Sequence, residues 1–190
     1  MSDLQAAYFV PLTQENWPQL EQLFGERGAC GGCWCMYWRL TNKEFSQHKG
    51  EGNKQLFRDL VEEQDPLGVL AFEEDEPIGW CSVSPRDALV RLKTSRLLKR
   101  VDEKQVWSIT CLFIRKDWRR KGLSRLLIRA GCEYAEQQGA KIIEAYPIIP
   151  KKAKMPDVFA WPGFATSFLG AGFEVVEQRS ETRMYMRYYA

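Results

Sequence analysis

Apolar positions along the chain switch between a period of two and a period near 3.6, and the switches set the predicted elements. Tyr8-Phe9-Val10 reads as a short strand, and the stripe Trp17, Leu20, Leu23, Phe24 reads as a helix capped at Thr13 and stopped at Gly25. Asn42 and Asn53 each precede a segment with helical spacing, the second carrying Leu56, Leu60 and Val61 before Asp65-Pro66 ends it. The runs 68–72 and 78–83 flank an acidic turn, which predicts an antiparallel hairpin. Residues 87–104 are basic and irregular and read as a mobile surface connection. Residues 106–114 form a buried strand, 123–138 a helix with Leu126, Leu127, Ala130 and Tyr134 at helical spacing, and 141–147 the next strand. Strand, crossover helix and strand make a βαβ unit. After a loop rich in Pro and Lys that runs to Pro162, a short helix over 164–169 leads to strands near Val175 and 184–188. The fold class is α/β, with a mixed, mostly antiparallel central sheet and flanking helices.

Composition narrows the function. The 190 residues fit one domain spanning 1–190, with no repeat or low-complexity linker to divide it. With 27 Lys+Arg against 25 Asp+Glu the net charge is +2, so no global field favours nucleic acid or an anionic membrane. No apolar run approaches the roughly 18 to 20 residues that span a bilayer, and the N-terminus lacks a signal-peptide pattern, which points to the cytoplasm. The six cysteines are then expected as thiols. Homodimerisation is left open.

The candidate chemistry lies between the strand ending at Ile114 and the helix opening near Gly122. A helix N-terminus presents unpaired amides and about half a positive charge, and a glycine there admits a pyrophosphate. Arg119, Arg120, Lys121 and Arg125 add charge around Gly122, Leu123 and Ser124. Cations oppose the dipole at that end of a helix, a placement that makes sense if an anion sits between them. The alternative is a solvated basic turn. Neither the Walker spacing nor the dinucleotide fingerprint is present.

Arg119-x-x-Gly122-x-Ser124 resembles the phosphate loop of the GNAT superfamily of N-acetyltransferases, Arg/Gln-x-x-Gly-x-Gly/Ala, with a small serine in the last place. The strand before it, Leu126-Leu127 after it and Ala171-Gly172-Phe173 further on follow that family's order, so the likeness covers about residues 68–178. It implies acetyl-CoA as co-substrate and an amine acceptor. It also implies that the backbone of Leu112, Phe113 and Ile114 binds the pantetheine arm like an added strand.

The same likeness directs attention to an acid and a base. Glu144, on the strand after the crossover helix, is the candidate base, with an outward or ion-paired carboxylate as the alternative. The family's usual acid is a tyrosine where this chain has Phe168; Tyr146, a water on Ser167 or solvent could replace it.

Cys30, Cys33 and Cys35 have a zinc-like spacing, but the lone histidine, His48, lies 13 residues beyond Cys35, and no fourth ligand is evident. No metal is therefore expected. Gly32-Cys33-Trp34-Cys35-Met36 resembles one branch of the superfamily, in which this region roofs the acceptor pocket. Cys33, Trp34, Cys35, Tyr37 and Trp38 are the candidate acceptor contacts, with Trp161 and Phe164 as the opposite wall. The rival to a transferase is a CoA-binding or thiol-based sensor on the same fold, suggested by the missing tyrosine and the cysteines.

Overall fold

The structure, a computed structural model, describes residues 7–150 and 160–190. Its strands are β1 (Tyr8–Pro11), β2 (Gly68–Glu73), β3 (Glu76–Pro85), β4 (Trp107–Ile114), β5 (Ile142–Ala145), β6 (Glu174–Ser180) and β7 (Arg183–Tyr189). They form one sheet in the order β1-β2-β3-β4-β5-β7-β6. Among the described residues, β4 and β5 are the one parallel neighbouring pair; the rest are antiparallel. The helices are α1 (Trp17–Phe24), α2 (Asn42–Gln47), α3 (Glu51–Glu62), α4 (Val90–Thr94), α5 (Leu123–Gln137) and α6 (Ala165–Gly170).

Strand alternation divides the core between the two faces of the sheet. Val69, Ala71, Cys81 and Ile109 pack with Leu123, Leu127 and Ile128 of α5, together with Phe168 and Phe173. Leu70, Phe72 and Trp80 pack on the other face with Leu20 and Phe24 of α1, Phe57 of α3, and Trp34. Gly131 lets α5 approach β3, since a Cβ there would lie 2.9 Å from Cys81 Sγ. Among the described residues no helix is long and apolar enough to cross a membrane.

Three local expectations are corrected. Thr13 does not cap α1; its N–H donates to Asn16 Oδ1 at 2.8 Å, and Asn16 is the residue before the helix. Asn53 lies inside α3, buried, where its amide donates to the Gly32 carbonyl at 3.0 Å and props the preceding loop. The 87–104 segment is not a free connection: it contains α4 and buries Leu89, Leu92 and Leu98 against Tyr146 and Tyr185. Arg86 fastens it from beneath by donating to the Leu98 carbonyl at 2.5 Å. Most of the Pro- and Lys-rich loop, 151–159, lies outside the described residues.

Candidate functional site

The basic turn forms the mouth of α5. Gly122 is its N-cap at φ +91°, a left-handed conformation that favours glycine, and among the described residues no side chain caps the helix end. The fifteen-residue helix has no acid in its first turn, so the positive end of its dipole is not compensated from within the helix. Arg120, Lys121 and Gly122 are exposed, with the Lys121 ammonium 4.7 Å from the Trp118 ring centre. Arg119 does something else: its Nε donates to the Ile114 carbonyl at 2.9 Å and ties the turn to the end of β4. Ser124 Oγ lies 3.1 Å from Ser167 Oγ on α6, Arg125 lies along Gly170, and Leu123 is buried beneath the turn.

Next to the turn, the sheet opens. β4 and β5 pair through Trp107↔Ile143, Ser108↔Glu144 and Ile109↔Ala145, and there β5 ends while β4 runs on to Ile114. Alternation turns the backbone groups of Leu112 and Ile114 towards the gap, and those of Phe113 towards β3. Strand pairing stops where a slot is expected, and another segment of the chain occupies the place. The Leu112 N–H donates to the Trp161 carbonyl at 2.7 Å. Beyond β5 the chain continues beside β7, with Ile149 N–H bonded to the Thr182 carbonyl at 3.0 Å. Residues 161–165 run between the two: Ile148 N–H donates to the Gly163 carbonyl at 2.9 Å and Ala165 N–H to the Ile148 carbonyl at 3.1 Å.

On the face opposite α5, Glu144 is the centre of a buried ionic cluster. One carboxylate oxygen accepts from Arg86 Nη1 at 3.0 Å and from the Tyr146 hydroxyl at 2.8 Å. The other accepts from Arg187 Nε at 3.0 Å and Nη2 at 2.7 Å. Arg187 also pairs with Asp102 at 2.6 Å and 2.8 Å, and its guanidinium holds the Asp102 carboxyl down to about 2. Four hydrogen bonds use the four lone-pair directions of Glu144 and leave none for an incoming amine; the ion-paired alternative is the one realised. Tyr146 donates its proton to Glu144, accepts from Arg86, and lies 3.0 Å from Ser108 Oγ. Burial pushes its hydroxyl well above the usual tyrosine range, and the neighbouring Glu144 charge adds to that. Neither residue is placed as a free acid or base.

The model of the acetyltransferase (GNAT) family matches residues 34–151, more than half of the chain. The chain belongs to the GNAT family. Solved structures share the fold of this GNAT chain at low sequence identity. PaiA N-acetyltransferase from Thermoplasma acidophilum, in complex with coenzyme A, has a TM-score of 0.52 at 13% identity, with 100% of each chain covered. Ribosomal-protein-alanine N-acetyltransferase from Brucella melitensis has 0.52 at 14%, covering 96% of this chain and 99% of its own. Ard1 from Thermoplasma volcanium has 0.51 at 11%, covering 97% and 98%. No curated protein matches the sequence.

The predicted acceptor residues of this GNAT chain separate into two groups. Trp34 and Cys35 are core residues. Trp34 stacks on Trp17 at 6.1 Å between ring centres, and Cys35 Sγ accepts from the Trp80 indole at 3.0 Å and shares a hydrogen bond with Cys111. Cys33 is half-buried, and burial raises its thiol to about 12. Tyr37 and Trp38 pack against Trp161 at the gap beside β4, with ring centres 5.5 Å and 5.9 Å from its own. Phe164, the other expected wall residue, belongs to the inserted segment through its bridge to Ile148. Sequence reasoning missed Arg183, whose Nη1 donates to the Tyr146 carbonyl at 2.7 Å, and Arg91, whose guanidinium lies 3.9 Å from the Tyr37 ring centre. No spacing links these residues to Tyr146 and Tyr37. A cavity of about 350 Å³ lined by Arg129, Cys132, Glu133, Ala171 and Tyr188 shares no residue with the basic turn or with the 161–165 segment.

Proposed function

We propose that this chain is an acetyl-CoA-dependent N-acetyltransferase acting in the cytoplasm on an amine of a small molecule or peptide. One observation carries the reading: an uncapped α5 N-terminus with Gly122 at φ +91° opens beside the free end of β4. The pyrophosphate binds the amides at residues 120–124, with Arg120 and Lys121 as counter-charges and Arg125 at the rim. From there the pantetheine runs back along β4, meeting Ile114 first and Leu112 deeper, so the Leu112 N–H is the donor nearest the thioester. The PaiA structure, which holds coenzyme A, supports a CoA ligand on this fold.

The amine enters past Tyr37 and Trp38 as a neutral nucleophile and forms the C–N bond. The Leu112 N–H steadies the developing oxyanion; the C–S bond then breaks and the ammonium proton passes to water. A thiolate is a good enough leaving group to depart without a committed side-chain acid. The buried Glu144 cluster acts by fixing β5 against β7. A second reading, a CoA-binding thiol sensor, draws on the Cys35–Cys111 hydrogen bond next to Leu112. It requires CoA binding without turnover on any amine.

The test is Gly122→Val. It should lower CoA affinity at least about tenfold, because the side chain blocks approach to the helix end, while the left-handed strain lowers the melting temperature by only a few degrees. Calorimetric titration with CoA reads the first effect and a thermal melt the second. Unchanged affinity refutes the cradle. Release of CoA thiol with a panel of amines then separates the transferase from the sensor.

A further inference from the structure

Residues 161–165 lie where an extended ligand of β4 would lie. Their backbone bonds to Leu112 on one side and to Ile148 on the other, at 2.7 Å, 2.9 Å and 3.1 Å, so the segment bridges the open edges of the sheet as a short added strand would. The Trp161 carbonyl takes the deeper of the two gap-facing amides of β4, and the indole rests against Tyr37 and Trp38. Gly163 makes the fit: at φ +76° its missing side chain leaves room for the Phe168 ring and for Leu112 Cδ1, which a Cβ would meet at 2.7 Å and 3.0 Å.

We propose that residues 161–165 are a built-in competitor for the pantetheine arm, and that acyl-CoA seats its thioester only after the Trp161 carbonyl leaves the Leu112 amide. The inference rests on the acyl-CoA reading above. An amide N–H aimed into a narrow gap serves one carbonyl well, so the thioester carbonyl and the Trp161 carbonyl exclude each other. The nucleotide half of coenzyme A needs only the α5 end and is indifferent to the exchange. The apparent affinity for whole CoA is therefore reduced by the fraction of molecules that are closed, whereas that for adenosine 3′-phosphate 5′-diphosphate is not.

Two variants open the segment by different routes. Trp161→Ala removes the aromatic anchor, and Gly163→Ala puts a methyl group into the closed fit. Each should tighten CoA binding roughly tenfold and leave the affinity for adenosine 3′-phosphate 5′-diphosphate within about twofold, as read by calorimetric titration. Hydrogen exchange at the Leu112 amide should be faster in the opened variants than in the wild-type protein, and saturating CoA should slow it again. Weaker or unchanged CoA binding in both variants overturns the proposal, as does an equal gain for the nucleotide fragment. If neither CoA nor the fragment binds the folded wild type or variants, the acyl-CoA reading itself fails. If CoA binds wild type tightly while Trp161 keeps its fluorescence and Leu112 its bond, only the competitor fails.

Discussion

Glu144 shows how far a single side chain can differ from what its position on a strand suggests. A carboxylate on the strand after the crossover helix resembles a base, yet its two arginine partners come from positions 58 and 43 residues away in the chain. No spacing rule joins three such residues, which is why the ion-paired reading stayed open in the sequence. Glu144→Gln keeps the shape but leaves two guanidiniums without their shared anion, a loss of about 3–5 kcal/mol for a broken buried pair. For a chain of this length that corresponds to roughly a ten-degree fall in melting temperature, readable by a circular dichroism melt. Asp102, at the edge of the same cluster, gives a pH signature. Its carboxyl is held below the ordinary value near 3.9 by Arg187, so the folded state binds the proton less readily than the unfolded state. The stabilisation is full above about pH 4 and is lost as pH falls towards 2. Asp102→Asn should therefore destabilise the protein at pH 7 and make little difference near pH 2, as denaturant melts at the two pH values would record.

At the level of elements, legibility followed length and period. The strand at 107–114, the helix at 123–137 and the strand at 142–145 were plain in the sequence because each carries enough apolar residues in one period to exclude the alternative. α4 was not plain: five residues give barely one turn, and Arg91 and Lys93 hide Leu92. The inserted segment left no trace either, since its bonds are made by backbone groups that any sequence possesses. Where α5 crosses β3, packing and helix propensity compete. Gly131→Ala gains about 1 kcal/mol of helix propensity but brings a methyl 2.9 Å from Cys81 Sγ, a buried atom with little room to shift. Overpacking of this kind costs about 1–3 kcal/mol, so the variant should be less stable. Adding Cys81→Ala should restore stability to within about 1 kcal/mol of wild type, a coupling that a double-mutant cycle in urea would measure.

Across the whole molecule, the thiols report which surfaces water reaches. Cys30 is exposed, burial raises the Cys33, Cys81 and Cys132 thiols, and Cys35 and Cys111 are engaged with each other. Iodoacetamide should modify native protein rapidly at Cys30 and at the other five only on unfolding, and Cys30→Ser should remove the fast phase in mass spectra. The sheet's seam has a further mechanical meaning. Strand pairing between the two leaves, β1 to β4 and β5 to β6, is limited to three residue pairs and ends at Ile109 and Ala145, which makes that point the fulcrum for any parting of the strands beyond it. From there to Ile114 a strand reaches about 17 Å, so a twist of roughly 6° at the fulcrum shifts the far jaw by about 2 Å. A modest flex at one end is thereby geared up into room for a guest at the other.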